Sequence, residues 1–180
     1  MKTLDAAIDT CVLVNLCAAG DLRRLLPDLG IELHVPSAVA GEAERLQVGG
    51  DGPDVEPQDV ELQAFFDAGV LTECALQDGA ETVLYVDLAG EVHDGEAMAL
   101  AVAKARGWLL ASDDRKARRR AAELGVKVIT TPEIMARWAV MGGVDKDGIG
   151  RLLRNIQNIA RFRPSGSFPC HDWWVKHAKE

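Results

Sequence analysis

The run His93-Asp94-Gly95-Glu96, then Ala97-Met98-Ala99-Leu100-Ala101-Val102-Ala103-Lys104-Ala105, then Trp108-Leu109-Leu110-Ala111-Ser112-Asp113-Asp114, reads as acids, helix, strand, acids. A helix that opens on carboxylates, runs back and feeds a short apolar strand puts both acid pairs at one end of an α/β sheet. Few purely structural needs place charges there.

Toward the N-terminus the same order repeats. Residues 4–8 are short and apolar and lead directly into Asp9-Thr10, after which Val12, Leu13, Leu16 and Cys17 recur at helical spacing. Asp21 is placed to cap a short helix over 22–26, bounded by Pro27 and Gly30. Residues 31–35 read as the next strand, and Ser37 as the N-cap of a helix carrying Ala38, Val39, Glu42 and Leu46. The Gly-Gly-Asp-Gly-Pro-Asp-Val-Glu-Pro segment at 49–57 is a loop by composition. Beyond it, 58–68 reads as helix, 70–74 as a short strand and 81–89 as helix, although Thr82-Val83-Leu84-Tyr85-Val86 would also serve as a strand.

After the central run, a helix over 115–124 ends at Gly125 and a strand follows over 127–129. The next helix has Pro132 at its first position and runs from Thr131 to Met141, stopped by Gly142-Gly143. A last helix over 145–161 leads into a tail containing Phe168, Trp173 and Trp174. Alternating strands and helices predict a three-layer α/β/α fold with a mostly parallel central sheet covered on both faces. The α/β domain is expected over 1–144, with 145–180 a helical extension and tail.

With 180 residues, 48 % of them hydrophobic, the chain is long enough to close one core. A formal net charge of −8 argues against a generic polybasic nucleic-acid or membrane binder. It leaves room for a nuclease, because a carboxylate metal site is itself acidic. Cys11, Cys17, Cys74 and Cys170 form no C-x-x-C pair, so reduced thiols in a cytoplasmic protein are expected, without a disulfide framework or zinc motif. Lys2, Asp5 and Asp9 interrupt the N-terminal segment and no run of eighteen apolar residues occurs, so neither secretion nor membrane spanning is expected. Phosphate-loop and dinucleotide-binding glycine motifs are missing. Cys170, His171 and His177 offer too few ligands at no fixed spacing, and neither His34 nor His93 has a nucleophile partner in a recognisable elbow.

Ligand sites in open parallel sheets lie beyond the carboxyl ends of the strands. Asp9 and Asp113-Asp114 each follow a strand, and Glu42 and Glu96 lie in early turns of helices that point to that edge. Converging carboxylates resist ionising unless a cation sits between them, and an all-oxygen set suits Mg²⁺ or Mn²⁺. Singly, each acid has an ordinary role: Asp94 and Glu96 complement a helix N-terminus, and Asp113 or Asp114 caps the helix that follows. The joint pattern carries the inference. Arg115, Lys116, Arg118, Arg119 and Arg120 crowd a helix N-terminal half, against the macrodipole. Neighbouring carboxylates, an RNA phosphate or plain solvation would compensate. Arg151, Arg154, Arg161 and Arg163 make a weaker second basic set. The tail aromatics would stack on bases or, the favoured reading, dock on the body of the fold or on a partner.

The run from Ala6 to Gly143 resembles PIN domains, the fold of many metal-dependent ribonucleases, including the VapC-like toxins of toxin–antitoxin pairs. The resemblance rests on Ile8-Asp9-Thr10 with Asn15, on Val35-Pro36-Ser37-Ala38-Val39-Ala40-Gly41-Glu42, and on Asp94-Gly95-Glu96-Ala97. Leu109-Leu110-Ala111-Ser112-Asp113-Asp114-Arg115-Lys116-Ala117-Arg118 and Gly125-Val126-Lys127-Val128-Ile129-Thr130-Thr131 complete it. It implies an Mg²⁺- or Mn²⁺-dependent endoribonuclease with Asp9, Glu42, Glu96 and Asp114 as its catalytic acids. Metal ligands would come from Asp9, Glu96, Asp114, Asp113 and Asp94. Thr10, Asn15 and Ser112 would hold carboxylates, while Arg115 and Arg118 would grip RNA phosphate. An antitoxin and a homodimer are the implied protein partners.

Many PIN domains carry aspartate where Glu96 stands, and the Asp94-Gly95-Glu96 variant is similar to a large subgroup. The sequence therefore leaves Asp94 or Glu96, Asp113 or Asp114, and Glu42 or Glu44 as alternatives. The competing class is a PIN-like binding module with an incompletely assembled site. A haloacid-dehalogenase-like phosphatase would need a second aspartate two residues after the first, where Cys11 stands.

Overall fold

Ala6, Ala7 and Ile8 are all fully buried, because the strand they form lies mid-sheet with helices over both faces. The computed structural model describes residues 3–20, 22–44, 47–48, 58–59, 62–77, 79–142 and 145–179. Its first half contains β1 (Leu4–Ile8), α1 (Thr10–Ala19), α2 (Leu22–Leu25), β2 (Ile31–Pro36), α3 (Ser37–Ala43), β3 (Gln47–Val48), β4 (Gln58–Asp59), α4 (Leu62–Asp67) and β5 (Thr72–Cys74). There follow α5 (Ala80–Ala89), α6 (Asp94–Arg106), β6 (Leu109–Ala111), α7 (Arg115–Glu123), β7 (Val128–Ile129), α8 (Thr131–Met141), α9 (Lys146–Ile159) and α10 (His171–Ala178).

The main sheet has the order β5-β2-β1-β6-β7, and every pairing in it is parallel. From β1 the chain builds outward through β2 to β5, then returns to the other side of β1 for β6 and β7. The β1/β6 boundary is therefore the topological switch point, beyond whose carboxyl edge ligand sites of open parallel sheets lie. Ile8 is level with Ala111, so the two strands end together there.

The period-two alternation of β1 divides the core. Ala6 and Ile8 face one layer with Leu13, Leu16, Ile134, Trp138, Leu153 and Trp174. Ala7 faces the other layer, formed by α5, α6 and α7. Every residue of α6 from Ala97 to Ala103 is buried, which explains its lack of a polar stripe. α9 packs on α1, and α10 on α8 and α9, so the C-terminal segment shares the core of β1.

Several local expectations change. Gln58 and Asp59 are not helical: they pair antiparallel with Val48 and Gln47, and among the described residues of that stretch the helix is Leu62–Asp67. The ladder engages backbone groups that a helix would have used internally. Ser37 is not an N-cap but the first helical residue after Pro36, and its hydroxyl lies 3.7 Å from Met98 Sδ. α3 ends at Ala43, short of the expected Leu46, which lies outside the described residues, as do the Asp21 cap and the 49–57 loop. The tail contains a helix, α10, whose Trp174 is 1 % exposed and meets Phe162 edge-to-face, so this aromatic docks on the fold.

Candidate active site

The residues that follow β1 and β6 leave the sheet side by side. The Asp9 N–H bonds to the Ala111 carbonyl at 3.0 Å. Asp9 caps α1, its Oδ1 accepting the Val12 N–H at 2.8 Å. Its Oδ2 is buried and has no hydrogen-bond partner among the described residues. A carboxylate with a bare oxygen out of water is costly to ionise. Burial pushes Asp9 up to about 7, and the charges of Asp113 and Glu96 act the same way, against the nearby Ser112 hydroxyl and the Val12 N–H. Ser112 Oγ accepts the Asp114 N–H at 3.2 Å, and its hydroxyl proton stays available to the Asp9 carboxylate.

Asp113 and Asp114 differ sharply although adjacent. Asp113 is buried and saturated: Oδ1 accepts the Thr131 N–H at 2.9 Å, and Oδ2 accepts the Thr131 hydroxyl at 2.5 Å and Asn15 Nδ2 at 3.0 Å. Burial raises its pKa, and those three donors and the Arg118 charge oppose the rise. Asp113 thus ties the end of β6 to the start of α8. Asp114 is half-buried and caps α7 through Oδ1, which accepts the Lys116 N–H at 2.7 Å and the Ala117 N–H at 2.8 Å. Its Oδ2 has no hydrogen bond among the described residues.

Glu42 reaches the same edge from α3. Its Oε2 accepts the Thr10 hydroxyl and its Oε1 the Gly95 N–H at 3.0 Å. The glycine is required by this approach: a Cβ at residue 95 would lie 2.6 Å from Glu42 Oε2 and 2.9 Å from Thr10 Oγ1. One residue on, half-buried Glu96 accepts the His93 N–H through Oε2 at 3.2 Å. Burial raises its pKa, and the charges of Asp114 and Glu42 raise it further. Asp9, Glu42, Glu96, Asp113 and Asp114 are therefore linked through one electrostatic set. Asp94 is exposed and makes no hydrogen bond or ion pair among the described residues, and Glu44 is exposed at the end of α3.

On α7, Arg119 pairs with Glu123 at 3.7 Å, and Arg120 pairs with Glu91 at 3.0 Å and with Glu123. Arg115 is exposed. Arg118 has no ion pair among the described residues, and its guanidinium lies 4.6 Å from the centroid of the Phe168 ring.

The donor set fits a hard divalent cation. All its atoms are carboxylate oxygens, and one of them, Asp9 Oδ2, is buried with no hydrogen-bond partner among the described residues. Among the described residues, no three of these acids bring oxygens within 4.8 Å of one another. Mg²⁺ is commonly held by only one or two carboxylates and keeps several waters. Only Asp5, Glu32 and His34, among the described residues, place three donor atoms within 4.8 Å. They lie on β1 and β2, and Asp5 is about 13 Å back along the chain from Asp9. There His34 is already bonded to Asp5 at 2.9 Å and stacked on Trp108 at 4.0 Å.

Fold and site define an α/β domain that gathers carboxylates at the switch point of a parallel sheet. The chain belongs to the PIN-domain family: a family model described as a PIN domain, DUF3368, matches residues 5–168. No curated protein matches it. PIN domains are in general nucleases that use divalent metal ions. The match takes in α9 and reaches Phe168. Among the described residues, no helix is long and apolar enough to cross a membrane.

Two residues that hold the site together carry little sequence signal: Thr131 reads only as a helix start, and the reason for Gly95 needs the position of Glu42. The Thr130-Thr131-Pro132 run was the available signal for the first, since hydroxyl residues at helix starts often bond to acids.

Proposed function

We propose that the protein is an Mg²⁺- or Mn²⁺-dependent endoribonuclease that hydrolyses RNA phosphodiester bonds. The observation that carries this reading is the buried, unpartnered Oδ2 of Asp9 within a coupled carboxylate set. Asp9 and Asp114 would hold the cation through their free Oδ2 atoms. When bound, the cation supplies Lewis-acid activation of water and stabilises charge developing on the phosphate.

Glu96 is suited to take a proton from the attacking water at Oε1, because Oε2 is held by His93 and its raised pKa improves it as a base. Glu42, fixed by Thr10 and Gly95, orients the water and keeps Glu96 electrostatically biased. Asp113, with Asn15 and Thr131, fixes the turn that presents Asp114. Ser112 shapes the same turn through the Asp114 N–H. Arg115 and Arg118 bind flanking phosphates. The proposed setting is a cytoplasmic toxin restrained by an antitoxin, acting as a homodimer. Residues 1–144 are proposed as the nuclease domain and 145–180 as its extension.

The spacing of the acids favours one second reading, a binding module that engages RNA or a protein without hydrolysis. Incubation of the wild type and of the Asp9→Asn and Asp114→Asn variants with single-stranded RNA separates the two. Cleavage with Mg²⁺ or Mn²⁺, blocked by EDTA and lost in both variants, is the expected result. Cleavage unchanged in both variants would refute the site, and no cleavage by the wild type would favour the binding module.

A further inference from the structure

We infer that Phe168 is a positioning residue for RNA binding: its ring, braced by Phe162, holds the Arg118 guanidinium at the carboxylate edge for a phosphate of single-stranded RNA. This rests on the ribonuclease reading for the nature of the ligand. The aromatic chain starts at Trp174, fully packed in the core, which meets Phe162 edge-to-face at 5.8 Å. Phe162 in turn meets Phe168 at 5.8 Å and 79°. Backbone bonds on both sides set the turn at Phe168, from its N–H to the Ser165 carbonyl at 3.0 Å and from the His171 N–H to its carbonyl at 3.3 Å. The ring therefore offers a fixed face, and Arg118 lies over it.

The state of Arg118 distinguishes it from its neighbours. Arg119 and Arg120 are committed to Glu123 and Glu91. Arg118 uses none of its N–H donors in a hydrogen bond or ion pair among the described residues, yet its charge acts on Asp113. Contact with a ring face leaves the rim of the guanidinium, where the donors lie, free for an anion. A planar fork held in one orientation binds phosphate better than a freely rotating one, because less side-chain entropy is lost. The tail thus acts on the site through one cation–π contact.

The test uses the full chain with Asp114→Asn, so that RNA is not consumed, and a short labelled oligouridylate, its binding followed by anisotropy at several salt concentrations. Arg118→Gln and Phe168→Leu should each weaken binding about threefold to tenfold, a range expected from losing one such contact. Each should also lower the slope of log affinity against log salt by about 0.7, the loss of one phosphate contact. The double variant should be no weaker than Arg118→Gln alone, and Phe168→Tyr, which keeps the ring, should bind as the parent does. In the cleaving enzyme Phe168→Leu should raise KM and leave kcat nearly unchanged. Circular dichroism checks that Phe168→Leu folds. Unchanged binding in Phe168→Leu, unchanged binding in Arg118→Gln, or no RNA binding by the parent protein would each overturn the inference. The predicted binding pattern with no cleavage by the wild type would remove the ribonuclease reading and leave the positioning role standing.

Discussion

Replacing Asp9 with asparagine should make the metal-free protein more stable at neutral pH and at the same time remove its stabilisation by divalent cations. The fold accommodates the protonated acid, whose pKa is raised from 3.8 to about 7. The sign follows from linkage: between those values the folded state holds a proton that the unfolded state has released, so stability falls as pH rises. The loss is absent below the unfolded value, accumulates from about pH 4 to about pH 7, and amounts to about 4 kcal/mol at about 1.4 kcal/mol per pH unit. Asparagine nearly matches the protonated acid in shape and keeps the Val12 cap through Oδ1. In EDTA the two proteins should therefore unfold alike near pH 4 and diverge by up to about 4 kcal/mol near pH 8, the variant being the more stable. Urea titrations followed by tryptophan fluorescence measure this directly. Saturating Mn²⁺ at about 100 times its Kd should then stabilise only the wild type, by about 2.7 kcal/mol. Parallel pH–stability curves in EDTA, or equal stabilisation of both proteins by Mn²⁺, would refute the reasoning.

Other changes probe the supports of the site. Gly95→Ala puts a methyl group 2.6 Å from Glu42 Oε2, so denaturation should register a loss of about 1–3 kcal/mol and single-turnover assays a fall in cleavage of about tenfold to a hundredfold. Thr131→Val deletes the hydroxyl between Asp113 and Asn15; it should cost about 1–3 kcal/mol by thermal unfolding, with Thr131→Ser close to wild type. Asp114→Asn should abolish cleavage at nearly wild-type stability because asparagine caps as well, whereas Asp114→Ala should also lose about 1 kcal/mol in the same unfolding assay.

The order of strands and helices around the edge acids was readable because each piece is local: an apolar run, a carboxylate, then helical spacing. The parallel sheet follows from that alternation alone. The hairpin of β3 and β4 was hidden because two-residue strands carry no periodic signal. The eight residues of α10 were too few to separate from an aromatic tail. Nor does sequence distinguish Asp113 from Asp114, since both follow the same strand. What separates them is contact with Thr131, 18 positions away, and Asn15, 98 positions away. Glycine at position 95 is likewise explained only by Glu42, brought in from another helix. Contacts of that kind depend on how the elements pack, which no local pattern records.

Crystals soaked in Mn²⁺ and measured for anomalous scattering test the central claim most directly. The account predicts manganese at the carboxyl edge between β1 and β6, in contact with Oδ2 of Asp9 and of Asp114. Manganese found only beside Asp5, Glu32 and His34, or none at that edge under saturating soak conditions, would contradict it.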